Sequence, residues 1–339
     1  MQTFIYNEDF FYRKILSSEK ESIKEIIKEK DNFYSIKKIP KKKGVRTIAC
    51  LEKNSDLAKI QQSIRINFLN TISIPNFVYG FVSGHSYIDF LKPHVNKKYY
   101  LRLDIKNFFE SINYKTLEEV FNYYFRINDE TNKEKLLDFI ELVTLNGKVP
   151  QGAITSPTLS NIVFRQLDLR IYKYCKKFKI TYTRYADDLL FSSENNYLHK
   201  EYFIKKIKYI ISEMGFKLNN KKVRYDKDFI SLNGFVIEDS VRISRKKLKE
   251  LTRVLFILER YKNEPDVNEI ILKVNSNGLN RKFSNTYSLI NFLAGYRAFL
   301  LQFLDREFLE KEGNRKINRY LERIQDSIVS IRAKMDVED

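Results

Sequence analysis

Residues 180–193 read Ile-Thr-Tyr-Thr-Arg-Tyr-Ala-Asp-Asp-Leu-Leu-Phe-Ser-Ser, two adjacent acids set between β-branched and aromatic arms. Arms of that composition pair as strands. A carboxylate inside a buried strand is costly, so the acids belong where the chain turns. The segment is expected to form a hairpin with Asp187 and Asp188 at its tip. Residues 99–105 make a second apolar strand, with Asp104 near its end. Side by side in one sheet, the two strands would bring Asp104 to the hairpin acids across a long stretch of sequence.

Most of the remaining chain has a helical period. Phe10, Phe11, Ile15, Ile23, Ile26 and Ile27 share one face of a helix over 8–30. Short apolar runs on either side of Lys41-Lys42-Lys43-Gly44 make 34–51 a hairpin with a basic turn. Helices are expected over 57–69, 116–126, 133–145, 156–175 and 198–214, the start at 156 being marked by Ser156, which can cap, and Pro157, which occupies the first turn. Residues 215–225 and 230–237 read as short strands, and the chain from 244 as helices of basic character.

Composition bounds the answer. A chain of 339 residues, 43% hydrophobic, with 10 Gly and 6 Pro, can bury a large core and carry a further lobe, and it fits neither the disordered nor the fibrous class. A formal charge of +18 favours a polyanionic partner such as nucleic acid, although a Lys-rich proteome produces the same balance. Cys50 and Cys175 lie far apart without ligand spacing, which argues against a disulfide framework or a structural zinc and for a reducing cytoplasm. His85, His94 and His199 do not cluster with Cys or acids, so each reads as a satisfied or exposed histidine. No apolar stretch of 18 residues occurs, nor a basic start followed by an apolar run, so no membrane association or export is expected.

Carboxylates contributed by two neighbouring strands suit two-metal phosphoryl transfer, which needs acids bridging ions about 3.5–4 Å apart. By itself an acidic pair in a turn is more often solvated turn chemistry. The surrounding residues decide between these readings. Tyr185-Ala186-Asp187-Asp188 in its apolar arms resembles the catalytic hairpin of reverse transcriptases, and Leu103-Asp104-Ile105-Lys106-Asn107-Phe108-Phe109 resembles their first carboxylate motif. Between them, Val149-Pro150-Gln151-Gly152-Ala153-Ile154-Thr155-Ser156-Pro157 resembles the family's template and nucleotide motif. Arg46 in the basic hairpin, Gly215-Phe216-Lys217-Leu218-Asn219 with Lys221-Lys222, and Leu232-Asn233-Gly234 fall in the family's order, so that the resemblance spans residues 34 to 240.

The resemblance implies an α+β right-hand polymerase: an N-terminal helical extension over 1–33, fingers over 34–103 and 114–148, a palm over 104–113 and 149–240 whose antiparallel sheet bears the acids, and a helical thumb over 241–339. It implies an RNA-directed DNA polymerase that extends a primer hydroxyl with dNTPs, using two Mg²⁺ ions, with Mn²⁺ as an alternative. Asp104, Asp187 and Asp188 are then the catalytic and metal-binding set, Asp188 in a supporting role, and the carbonyl of Ile105 completes one metal's shell. Phe109 matches an aromatic steric gate that excludes a 2′-hydroxyl, while Gln151 and Gly152 match residues along the incoming nucleotide. Arg46, with Lys41 to Lys43, matches the triphosphate grip, and Lys222 or its neighbour Lys221 the donor of a proton to pyrophosphate. Arg245, Lys246 and Lys249 precede the apolar positions Leu251, Val254, Leu255 and Ile257, as in a thumb helix with one face packed and the other on a nucleic-acid backbone.

The spacing of Gly80-Phe81-Val82-Ser83-Gly84-His85-Ser86 and His94 ahead of the first acid is similar to retron reverse transcriptases, as is Ile243-Ser244-Arg245 downstream. Two positions depart: Phe90 and Leu91 stand where retrons usually have Asn-Ala, and Leu232-Asn233-Gly234 where they usually have Val-Thr-Gly. Little chain follows the palm, which implies a compact bacterial type lacking endonuclease, ribonuclease H or maturase extensions. A retron enzyme would take a structured noncoding RNA as template and primer, leave RNA-linked single-stranded DNA as product, and serve antiphage defence, with room for an effector protein. Another defence-associated or group II intron-like reverse transcriptase is the alternative, and a catalytically inactive RNA-binding scaffold is the alternative from a different class.

Overall fold

The structure, a computed structural model, describes residues 4–40, 45–125, 130–277, 281–304 and 312–335. The chain forms two compact units, one of residues 1–230 and 237–241 and the other of residues 231–236 and 242–339, and each has its own apolar core.

In the first unit a π-helical segment, Phe10–Leu16, ends at Ser17, and α1 (Lys20–Glu29) follows it. The single helix expected over 8–30 is therefore two pieces. Ser17 is left-handed, at φ 58, and the Ser18 N–H closes back on the Tyr12 carbonyl at 3.0 Å. A Ser-Ser pair favours helix ends over helix interiors because its hydroxyls compete for backbone groups. Strands β1 (Tyr34–Pro40) and β2 (Val45–Leu51) form the expected antiparallel hairpin in register Tyr34↔Leu51, while Lys41 to Gly44 lie outside the described residues. Helix α2 (Asp56–Asn67) follows, capped by Ser55, whose hydroxyl accepts from the Ala58 N–H at 3.2 Å. The short α3 (Tyr87–Leu91) starts with a capping box between Ser86 and Asp89.

Strand β3 (Tyr99–Asp104) leads to α4 (Tyr114–Phe125), α5 (Glu130–Val143) and the long α6 (Ser156–Lys177). Ser156 does not cap α6. Its hydroxyl donates instead to the Pro150 carbonyl at 2.7 Å and closes the loop before the helix, and Thr155 takes the cap position without a side-chain bond. Strands β4 (Thr181–Tyr185) and β5 (Asp188–Ser193) form the acidic hairpin, then come α7 (Glu201–Ser212) and β6 (Arg224–Lys227). These strands make one antiparallel sheet in the order β4-β5-β3-β6, with β3 and β5, the most apolar pair, at its centre. Helix α6 packs against β4 and α7.

The segment 215–225 is not the strand its composition suggested. It touches the end of β3 once, through the Leu218 to Ile105 bridge and the Asn219 N–H on the Asp104 carbonyl at 2.8 Å, then makes a turn at Asn220–Lys222 before β6 begins. Residues 230–237 are likewise two strands, β7 (Ile230–Leu232) and β8 (Phe235–Ile237), because Asn233 and Gly234 both take positive φ, as a two-residue hairpin turn of this hand requires. Strand β9 (Val241–Ile243) completes a sheet of order β7-β8-β9. The second unit continues with α8 (Arg245–Arg260), α9 (Val267–Ser276), α10 (Thr286–Leu301) and α11 (Glu312–Met335). The whole is α+β. Among the described residues no helix is long and apolar enough to cross a membrane.

Candidate active site

Asp104 is the last residue of β3 and pairs across the sheet with Asp188, the first residue of β5. Tyr185 pairs with Asp188, which leaves Ala186 and Asp187 as the two-residue turn. Ala186 is left-handed, at φ 55, and the Asp187 carbonyl accepts from the Ile105 N–H at 2.9 Å. Sheet register thus brings Asp104, Asp187 and Asp188 to one end of the central strand pair; of the two acids expected at the hairpin tip, Asp187 lies in the turn and Asp188 opens β5, paired with both Tyr185 and Asp104.

The acids differ in their partners. Asp104, 3% exposed, accepts from the Lys222 ammonium at 2.7 Å. Asp188 is held by Arg102, whose Nε and Nη2 both donate to its Oδ1, at 3.0 and 2.6 Å. Asp187 has no ion-pair partner among the described residues, and burial together with the nearby Asp104 charge pushes its carboxyl above the usual range. Burial also raises the Asp188 carboxyl, against the pull of Arg102.

Asp104 and Asp187 open onto a cavity of about 600 Å³ that is also lined by Ile105, Phe109, Gln151 and Lys222. Phe108 and Phe109 both line this cavity but differ in burial: Phe108 is 4% exposed and packs on Phe164 and Phe216, while Phe109 is half-buried. Gly152 sits at φ 125, where an added Cβ would stand 2.5 Å from the Ala49 carbonyl of β2, so the loop carrying Gln151 can lie against that strand only with glycine there. Arg46 pairs with Ile39 in the β1–β2 hairpin, and its side chain lies outside the described residues. Arg245, Lys246 and Lys249 belong to the second unit, where they are exposed around a groove of about 890 Å³ shared with Lys316 and Tyr320.

Several residues that serve this site carried no motif. Arg184 and Asp168 are fully buried and joined by three guanidinium contacts of 2.7 to 3.1 Å, Tyr182 adds a hydroxyl at 2.7 Å, and Arg184 Nη1 reaches the Ala186 carbonyl at 3.0 Å. The guanidinium lies over Phe164. Gln61, also fully buried, accepts from the Ile154 N–H at 3.0 Å and donates to the Leu142 carbonyl at 2.8 Å, fixing the loop after Gly152. The signals were present but weak: Arg102 shares the face of Asp104 by the two-residue strand period, and Arg184 is a charge inside an apolar arm. Two histidines are satisfied, His94 between the Ser192 and Thr183 hydroxyls at 2.7 Å each and His199 on the Tyr100 carbonyl at 2.8 Å, and His85 is exposed. Both cysteines are free.

Three acids thus gather at one end of a sheet, Asp104 and Asp187 on a cavity also lined by phenylalanines, and residues 36–237 match the family model described as "Reverse transcriptase (RNA-dependent DNA polymerase)". The chain belongs to that family. Its branch is that of the bacterial retron enzymes. It is 31% identical over 255 residues to the retron Ec83 reverse transcriptase of Escherichia coli, covering 70% of this chain and 80% of that one. To the retron Se72 reverse transcriptase of Salmonella heidelberg it is 26% identical over 254 residues, 73% of this chain and 66% of that one. The retron Ec86 reverse transcriptase of Escherichia coli is 28% identical over 255 residues, 74% of this chain and 71% of that one.

Proposed function

We propose that this protein is an RNA-directed DNA polymerase of the retron type, extending a primer hydroxyl with dNTPs on a structured noncoding RNA and yielding RNA-linked single-stranded DNA for antiphage defence. The observation that carries the reading is the pairing of Asp104 with Asp188, which sets Asp104 beside the Asp187 turn at a cavity that Phe109 and Gln151 also line.

Among the described residues no three His, Cys, Asp or Glu side chains form a ready metal cage. Mg²⁺ is commonly held by one or two carboxylates together with substrate phosphates. Asp187, buried beside Asp104 and lacking a cationic partner, has the donor chemistry for such an ion, and Asp188, occupied by Arg102, is left the supporting part. Asp104, Asp187 and the Ile105 carbonyl would hold two ions, which when bound neutralise the triphosphate and acidify the primer hydroxyl. Phe109 would bar a 2′-hydroxyl, Gln151 and Gly152 would lie along the nucleotide, Arg46 would grip the triphosphate, and Lys222, already at the site, would be the proton donor to pyrophosphate. Residues 34–103 and 114–148 would act as fingers, 104–113 and 149–240 as palm, and 241–339 as thumb, whose Arg245, Lys246 and Lys249 would follow the nucleic-acid backbone.

Primer extension and thermal melting of Asp104→Asn, Asp187→Asn and Asp188→Asn test the reading. The first two should abolish extension, and Asp188→Asn should cost less. In EDTA at neutral pH, Asp187→Asn should melt at or above the wild-type temperature. Its folded pKa is raised, so holding the anion in the fold opposes folding at any pH above that pKa, and the amide removes the cost. DNA of uniform length, joined to RNA and copurifying with the wild type but not with Asp187→Asn, is the retron outcome. Near-normal extension by Asp187→Asn would overturn the assignment of the acids.

A further inference from the structure

Phe81 combines features that stability alone does not explain. Its backbone is left-handed, at φ 61, a conformation that is an outlier for a bulky side chain and persists only where the surroundings impose it. Those surroundings are visible one residue earlier. A Cβ on Gly80 would stand 2.3 Å from the Ala186 backbone nitrogen, Asn161 Nδ2 donates to the Gly80 carbonyl at 2.8 Å, and the Tyr79 N–H donates to the Arg184 carbonyl at 2.9 Å. The segment before Phe81 is thereby stitched to the turn that carries Asp187, and the chain must swing away at residue 81.

The swing sends the ring outward. Phe81 is 43% exposed, whereas Phe77 and Phe90, on either side of it in sequence, are buried. The ring lines the same cavity as Asp104 and Asp187, with its centroid 5.9 Å from that of Phe109 and the planes inclined by 46°. A strained backbone that exposes an aromatic ring runs against the tendency of such side chains to be buried, and strain of this kind gathers where a ligand is clamped.

We propose that Phe81 is a substrate-binding residue of this cavity: its ring and that of Phe109 form a two-ring wall on which the nucleoside of an incoming deoxynucleoside triphosphate stacks. The inference rests on the polymerase reading above. Because every base offers a π-face, stacking on Phe81 is indifferent to base identity, and the wall acts on all four dNTPs alike.

Two variants of the full chain test it. In Phe81→Gly the left-handed backbone is retained without strain and only the ring is lost. With an RNA template and DNA primer, KM should rise about five- to tenfold for each dNTP, the lower end of what base stacking contributes, with kcat little changed and melting at or above the wild-type temperature. A ring that merely packs predicts the opposite, lower melting with KM unchanged, and that result overturns the proposal. The wild-type chain has no Trp, so Phe81→Trp supplies a single tryptophan at the wall, excited selectively at the red edge of its absorption, beyond that of tyrosine. Adding dTTP to its complex with a poly(rA)/oligo(dT) duplex should change the emission saturably, and constant emission overturns the proposal. Saturable emission without extension by the wild type would sink the polymerase reading and leave the wall standing. Extension by the wild type with an unchanged KM in Phe81→Gly would do the reverse.

Discussion

A single substitution in the buried Arg184–Asp168 pair should unsettle the site through the fold. Both side chains are fully buried, and Arg184 spends its donors on the Asp168 carboxylate and the Ala186 carbonyl. Asp168→Leu leaves a guanidinium in the core with no counter-charge, and breaking a buried pair from one side costs about 3–5 kcal/mol. For a unit of this size each kcal/mol moves the melting temperature by about 2–4 °C, so a drop of roughly 6–20 °C is expected. The double variant Arg184→Met/Asp168→Leu removes both charges and should recover much of that loss, since apolar replacement of a buried pair is often near neutral. It also removes the guanidinium donor to the Ala186 carbonyl, so the Asp187 turn should loosen although the fold survives. Urea unfolding, with hydrogen exchange read on peptides covering 182–190, separates the effects. The double variant should be stable yet exchange faster in that peptide and extend primers poorly. Should Asp168→Leu cost under about 1 kcal/mol, the typical worth of an exposed pair, or should the double variant be as unstable as the single, the reasoning fails.

Two further outcomes follow from particular side chains. Phe109→Ala should admit ribonucleotides, because the half-buried ring lines the cavity while Phe108 supplies the core; an unchanged ribo-to-deoxy ratio in matched incorporation assays would place the selection elsewhere. His94 is fully buried and its imidazole is pushed down to about 3 by burial and, secondarily, by Lys97, so it stays neutral in the fold while the unfolded chain takes up a proton near 6.5. Stability should therefore fall as pH drops below 6.5 towards 3, by about 1.4 kcal/mol per pH unit from this group or about 2 kcal/mol by pH 5. A pH series of denaturant midpoints should be flatter in His94→Gln, and an equal slope in both proteins would show that His94 is not the group responsible.

The acids, their strands and their family could be read in the sequence because each rests on local chemistry. The arms of 180–193 favour pairing around a turn at the acids, and ordered motifs survive without coordinates. Core aromatics and the apolar face of α8 were legible for the same reason: strand and helix periods are properties of neighbouring residues. Breaks in the elements were harder. Ser17, Ser156 and the 215–225 segment depend on which backbone group wins a hydrogen bond, and at 156 the winner is a carbonyl in the loop before the helix. What the tertiary structure alone decided is the allocation of charge around the acids. Sequence offers three aspartates of equal chemistry, but strand register gives Arg102 to Asp188 and the turn at Asn220–Lys222 brings Lys222 to Asp104, leaving Asp187 with no ion-pair partner among the described residues. Likewise nothing local marks Phe81, whose exposure follows from a glycine wedged against a turn a hundred residues away in the chain. Contacts between distant segments set ion pairing, burial and strain, and these are the quantities that separate one aspartate or phenylalanine from another.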